Sequence, residues 1–379
     1  MSGILEQVGK IGSWVRRRAA AQLSIVFIFV PIALIALGLA GYGWWWRVVA
    51  DEVRANTLAF QAGQRDLGRE LTWDAFKIEG FPYRVESRLS TLHFTAPDRG
   101  AAFNSDRIVV HVQPLALNRV VFSLEGEQEF LYTKERLIDT KARADKALMS
   151  LVGVKGEQRV ELDIERLTGK ATIDEADFNF IVEAAQGGLN IADPDEQGLP
   201  RVELAARFVN IALRGLDLPL GPTIELFEID AAAKLPAELT QASATALIAE
   251  WRRMGTPIEL KKFEFEWGGI SVAATGVFTI DVNTQPEGTF RLKLGNHPRI
   301  LELLEARGWI TRETHLAAKP VLDVLAFFSG DAKRRVSVPL KIKSGEIFLG
   351  PARVATLNPP SESAQLAPLP SAIPVSAAP

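Results

Sequence analysis

Hydrophobic and polar positions fall into three regimes along the chain. The first is unbroken: Leu23 to Trp46 reads LSIVFIFVPIALIALGLAGYGWWW, 24 residues without a charge. As a helix rising about 1.5 Å per residue it reaches roughly 36 Å, and about 20 apolar residues suffice to cross a bilayer. Arg16, Arg17 and Arg18 precede the run; Tyr42, Trp44, Trp45 and Trp46 close it. Basic residues favour the cytoplasmic side of a membrane and amphipathic rings its headgroup level. The pattern predicts a single transmembrane helix over 23–46, with 1–22 cytoplasmic and the body outside. Within the leader, Ile4, Leu5, Val8, Ile11 and Val15 recur at three- and four-residue spacing. That spacing suits either a short amphipathic helix on the membrane surface or a solvated leader carrying the positive charge. Gly38-Leu39-Ala40 offers a small-x-small cleavage site, so a signal peptide is the alternative. An apolar run longer than the usual stretch of about 7–15 residues favours an uncleaved anchor. Pro31 is tolerable inside a membrane helix.

The second regime, 47–70, keeps helical period into water. Trp46, Val49, Val53, Phe60 and Leu67 follow three- and four-residue steps or their multiples, interrupted by Asn56 and Gly63. The stripe is short, which favours packing on the body over a coiled coil.

In the third regime, 71–356, the period changes to two. Ile108/Val110/Val112 and Val120/Phe122/Leu124 alternate, as do Val160/Leu162/Ile164, Phe178/Phe180/Val182 and Val209/Ile211/Leu213. So do Phe263/Phe265/Trp267, Ile270 to Ile280, Phe290/Leu292/Leu294 and Val336 to Ile342. One apolar and one polar face per strand means antiparallel sheets wet on one side. Helices are expected at Ser243–Met254, Pro298–Arg307 and Pro320–Phe328. The fold class is mainly β (α+β): long curved antiparallel sheets with a few short helices, on one N-terminal transmembrane helix. A seam is suggested near 186–198, and residues 357–379 form a Pro/Ala/Ser tail unable to bury a core.

Composition removes several function classes. The 379 residues carry a net charge of −3, and nucleic-acid binding needs a basic surface, so no nucleic-acid partner is expected. Without a single cysteine there are no disulfides, thiolate nucleophiles or zinc–cysteine sites. No two of His93, His111, His297 and His315 are three or four residues apart, so no metal site is indicated. Asp193 to Gly198 resembles a calcium loop, but the twelfth position is Leu204 rather than a bidentate glutamate. Gly41-x-Gly43 lies in the membrane run, and no G-x-S-x-G elbow or lysine-bearing phosphate loop occurs. Glu264 and Glu266 lie opposite Phe263 and Phe265 and suit a solvated outer face. No catalytic residue and no cofactor is expected, and the chain is read as a non-enzyme.

Gly80-Phe81-Pro82-Tyr83-Arg84 is a turn around an aromatic residue. Structurally, Phe81 would plug the first strand pair and Arg84 would pair with a nearby acid. Functionally, the Arg84 guanidinium suits a lipid phosphate. An aromatic-ended anchor, a strand with Trp73 and then Gly80-Phe81-Pro82-x-Arg84 form one set of short motifs. Gly276, Asp281, Pro286-Glu287-Gly288, Pro339-Leu340, Gly345 and Leu349-Gly350-Pro351 follow. In this order they resemble the bacterial family known as domain of unknown function 2125, over about Trp46 to Ala355. The family brings no activity with it. More loosely, a strand-rich body on one inner-membrane anchor is similar to AsmA-like envelope proteins, which are associated with phospholipid transport. That likeness implies an inner-membrane protein with a periplasmic body and lipid or envelope-protein partners. Two readings stay open: an apolar sheet face that holds or passes an acyl chain, and an adaptor whose apolar face is filled by its own side chains. A contiguous exposed apolar surface separates them.

Overall fold

A single helix, α1 (Ser2–Asp66), carries the apolar run and the juxtamembrane stripe without interruption, with Pro31 inside it. The expected leader, the apolar run and the stripe are therefore one element. The computed structural model describes residues 2–154, 156–196, 198–234, 253–281, 285–308, 310–328, 335–349 and 352–356. Ile32, Leu34, Ile35, Leu37 and Leu39 are exposed along α1, and the helix is long and apolar enough to cross a membrane. The expected helix over Ser243–Met254 falls almost wholly in 235–252, outside the described residues, as does the tail from 357.

Among the described residues all strands join one antiparallel sheet of 16. The first are β1 (Glu70–Thr72), β2 (Ala75–Glu79), β3 (Val85–Ala96), β4 (Ala101–Gln113) and β5 (Ala116–Tyr132). Next come β6 (Ile138–Val154), β7 (Glu157–Ile173), β8 (Ala176–Ala192), β9 (Arg201–Arg214) and β10 (Thr223–Lys234). The remainder are β11 (Ile258–Trp267), β12 (Ile270–Ile280), β13 (Pro286–Gly295), β14 (Val336–Lys343), β15 (Glu346–Leu349) and β16 (Ala352–Thr356). From β3 onward each strand pairs with its successor in sequence, while β1 and β2 lie end to end along the outer edge of β3. The turn residues at 186–198 form the end of β8 and the hairpin to β9, its direct partner. Between β13 and β14 come α2 (His297–Ala306), with Pro298 in its first turn, and α3 (Arg312–Phe328).

Period-two alternation, held in register, sorts the sheet into two faces. One row runs Val85–Val112–Val120–Leu151–Val160–Leu189–Leu204 across β3 to β9. It continues through Ala231, Leu260, Gly276, Phe290, Leu340 and Leu349 to Ala352 on β16. Every member is apolar or glycine. At about 4.8 Å between strands the row is roughly 60 Å long. The opposite face is charged. There Lys146 reaches Asp163 at 2.6 Å and Glu165 at 2.8 Å, and Glu203 sits between Arg201 at 3.0 Å and Lys261 at 2.9 Å.

A crease crosses the strands at mid-length. Between the pairs Ser90↔Arg107 and Leu92↔Ser105 the ladder omits Thr91 and Asp106. The same omission recurs at Asp145, Arg166, Glu183, Asn210 and Glu225. Thr91, Arg166 and Asn210 adopt φ of 51°, 48° and 51°, the left-handed conformation that kinks a strand as a bulge does. Beyond the crease the apolar series resumes three residues on instead of two: Ile164 then Leu167, Ala185 then Val182, Phe208 then Ile211. Leu167, Val182, Ile211 and Ile224 form its first row there.

The helices lie on the apolar side, at the two ends. Val49 and Ala50 of α1 are buried against Val85 and Val112, flanked by Trp45, Trp46 and Val53. Farther along α1, Arg54 lies over the Phe76 ring and Gln61 donates to the Leu71 carbonyl at 2.8 Å. Leu71, Leu89 and Leu92 form an adjoining cluster with Trp73 and Phe76. At the far end Leu301 of α2 and Leu322 of α3 close over Val336 and Val338.

Candidate functional site

The middle of the apolar face is the first candidate. Val85 at the α1 end is 0% exposed and Val338 at the α3 end 6%, whereas Leu151 and Leu204 between them are 37% and 47% exposed. Val160, Leu162, Leu189, Phe227 and Phe263 are half-buried. Among the described residues no cluster of buried side chains joins a helix to β6–β11. Aromatic rings fill part of this stretch, with Phe208 and Phe227 6.1 Å apart and Phe227 and Phe263 5.9 Å apart. Large apolar side chains half in contact with water form a trough, whose complement is an acyl chain or another apolar surface.

Glycines face aromatic rings elsewhere along the apolar face. Gly276 is opposite Phe290, Gly169 opposite Phe180 and Gly288 opposite Phe278. A Cβ on Gly276 would lie 2.6 Å from the Phe290 ring. The ring thus occupies space that a side chain at 276 would need, covering what the missing side chain leaves open.

The second candidate is the junction of α1 with the sheet. Trp46 Nε1 donates to the Arg84 carbonyl and Trp45 Nε1 to the Pro114 carbonyl, both at 2.9 Å. The Tyr42 hydroxyl donates to the Pro82 carbonyl. Phe81, expected to plug the first strand pair, is instead 59% exposed and packs edge-on against Trp46 at 5.5 Å. The turn sets the ring against α1, beside Gly43, rather than between the strands. Gly80, at φ 101°, brings the chain within 2.6 Å of the Arg84 carbonyl, measured from where a Cβ would sit. Only glycine fits that position without strain.

Arg84 does pair with an acid, Glu86. Glu86 is 4% exposed and also takes Arg88 at 2.9 Å. Burial pushes its carboxyl up, but the hydrogen bonds from Arg84 and Arg88 prevail and hold it below its ordinary value. Burial holds the His111 imidazole below its ordinary value, against the opposing pull of Glu86.

The remaining sequence candidates are dispersed. Arg16, Arg17, Arg18 and Leu23 belong to α1, with side chains outside the described set; Trp44 is 68% exposed. His93 contacts Asn104, His297 contacts Asp323 and His315 contacts Glu305, in separate places. Among the described residues no three His, Asp or Glu side chains are grouped to hold a metal ion. Glu264 lies on the charged face beside Lys262 at 3.6 Å. Asp195 accepts from Leu199 N and Lys234, within a turn. Sequence reasoning missed Arg119 and weighed His111 only as a metal ligand; the β3–β4 and β4–β5 registers bring both beside Arg84.

An apolar helix leading into one open, two-faced sheet defines a β-rich protein led by one helix long and apolar enough to cross a membrane, with a half-open apolar face. The chain belongs to the bacterial family described as uncharacterized protein conserved in bacteria (DUF2125), whose model matches residues 46–358. No curated protein and no solved structure matches the chain, AsmA-like envelope proteins included.

Proposed function

We propose that this protein is a non-enzymatic component of the bacterial envelope that binds lipid acyl chains along its apolar sheet face and helps move them. In this reading α1 spans the inner membrane, with Arg16–Arg18 cytoplasmic and the body periplasmic. The observation that carries the proposal is the half-open stretch of the apolar rows over β6–β11. A side chain such as Leu204, 47% exposed in the centre of an apolar row, gains little by staying wet. Burial of apolar surface is worth about 25 cal/mol per Å², so a bound chain would recover what the sheet leaves unburied.

The test uses the full chain in cells. A photo-crosslinking residue replaces Leu189 or Leu204 on the apolar face, or Glu161 on the charged face, and adducts are identified by mass spectrometry. Phospholipid adducts from the first two positions and not the third are expected. Adducts only to the protein's own chain would favour the filled-face adaptor. For topology, protease outside the inner membrane should digest the body and leave the leader protected.

A further inference from the structure

A cleft lies on the other face of the sheet, beside the junction with α1. Its lining is Arg84, His111, Gln113, Arg119, Val121 and Leu148, around about 280 Å³. Parity places it away from α1: Val85, Val110 and Val112 pack on the helix, so Glu86 and His111 face the opposite way. The rim is cationic and the floor, Val121 and Leu148, is apolar. Glu86 and Glu79 are matched by Arg84 and Arg88. Arg119 donates to the Ser150 hydroxyl at 3.3 Å and leaves the rim with a surplus positive charge.

The height of this cleft is set by the anchor. Its rim residue Arg84 accepts from Trp46 through its own carbonyl, and Pro114, next to Gln113, accepts from Trp45. These indoles end the apolar run, and such rings sit at the level of the lipid headgroups. The two hairpins they hold present apolar side chains at that level: Tyr83 is 86% exposed and Leu115 82%. A body standing clear of the membrane would have no use for such tips beside a cationic rim.

We propose that this cleft is a phospholipid headgroup site, filled from the leaflet in which the aromatic end of α1 sits. Arg84 and Arg119 donate to the phosphate, whose oxygens suit planar guanidinium groups. Val121 and Leu148 take the glycerol end of the lipid, and Tyr83 and Leu115 dip into the leaflet. The site rests on the membrane placement of α1 proposed above, but not on the trough, which lies on the opposite face. It holds the body down on the bilayer.

The test is native mass spectrometry of the full chain released from phosphatidylcholine nanodiscs doped with phosphatidylglycerol. The wild type should retain a phospholipid that Arg119→Gln loses by at least about tenfold, the loss expected for a charge-assisted hydrogen bond. Arg207→Gln, a charged-face control beside Glu228, should retain it. Arg84→Gln is the second variant; it also exposes Glu86, so Arg119→Gln, which leaves that ion pair intact, is decisive if Arg84→Gln unfolds. Equal retention by wild type and Arg119→Gln would overturn the proposal. Complete displacement by inorganic phosphate would assign the cleft to the free anion instead and overturn the lipid source. Loss of crosslinks at Leu189 with retention intact would sink the trough alone.

Discussion

The trough makes a quantitative demand on two leucines that look alike in sequence. Leu301 is 6% exposed, packed with Leu322, Val336 and Val338, whereas Leu204 is 47% exposed. Truncating a buried leucine removes its transfer free energy and leaves a cavity, together about 2–5 kcal/mol. Leu204 has half its side chain in water already and closes no cavity. Full burial of a leucine is worth about 1.5–3 kcal/mol, so Leu204→Ala should cost about 1 kcal/mol or less. In a large domain 1 kcal/mol moves Tm by about 2 °C. Leu301→Ala should therefore lower the melting temperature by about 4–10 °C and Leu204→Ala by no more than about 2 °C. Leu204→Trp adds the opposite perturbation: an open trough accepts the ring, while a filled core pays about 1–3 kcal/mol for overpacking. The assay is thermal unfolding of the full chain in one detergent, followed by circular dichroism of the strands. Equal losses for the two alanine variants, or strong destabilisation by Leu204→Trp, would refute the open face.

Three further outcomes are expected. Phe81→Ala should leave the melting of the body almost unchanged, because the ring contributes an aromatic contact worth about 0.5–1.5 kcal/mol to the α1 junction. Its effect should appear as faster hydrogen exchange around Gly80–Arg84, and a large drop in melting temperature would restore Phe81 to the core. Gly276→Ala places a Cβ 2.4 Å from the Thr289 carbonyl oxygen and should destabilise by about 1–3 kcal/mol, read as a fall in denaturation midpoint. Acid should weaken the β3–β4 end, because the folded pKa values of both His111 and Glu86 are depressed. The unfolded chain then binds protons more readily. Stability present above the unfolded histidine value of about 6.5 declines as pH falls through it. The Glu86 contribution goes below the unfolded carboxylate range. Melting temperature against pH should fall in both windows, and His111→Gln should flatten the upper one alone.

Alternation at Ile108/Val110/Val112 or Phe290/Leu292/Leu294 makes those strands legible in the sequence, because one buried face writes itself into every second residue. β3, β6 and β10 were not legible for specific reasons. β3 sets Ser87 in an apolar row and loses step at Thr91. The first half of β6 offers only Thr140, Ala142 and Ala144 where larger residues would stand out. β10 places Leu226-Phe227 and Ala231-Ala232-Ala233 in succession, which hides any period. The crease defeats a strict period-two reading in general, since one polar residue per strand shifts the apolar series. The helix of α1 was legible as pieces but not as one continuous rod. Of the junction, Arg84 and the turn Gly80–Arg84 were visible. Arg119 was not, because its place beside Arg84 depends on hairpin register, which no local pattern specifies.

The order of the strands has a consequence for how the protein is made and how it changes size. Among the described residues each strand from β4 onward bonds only to the strands before and after it in the chain, so nearly all pairing is local in sequence. Folds of that kind form quickly, and a hairpin closes in about 1–10 μs while synthesis adds only about 5–20 residues per second. The sheet can grow by successive addition as the chain emerges, each new strand covering the edge its predecessor left open. The same arrangement works as a ruler. Inserting or deleting one hairpin between β6 and β11 would change the length of the apolar face by about 10 Å and leave the helix contacts at either end as they are.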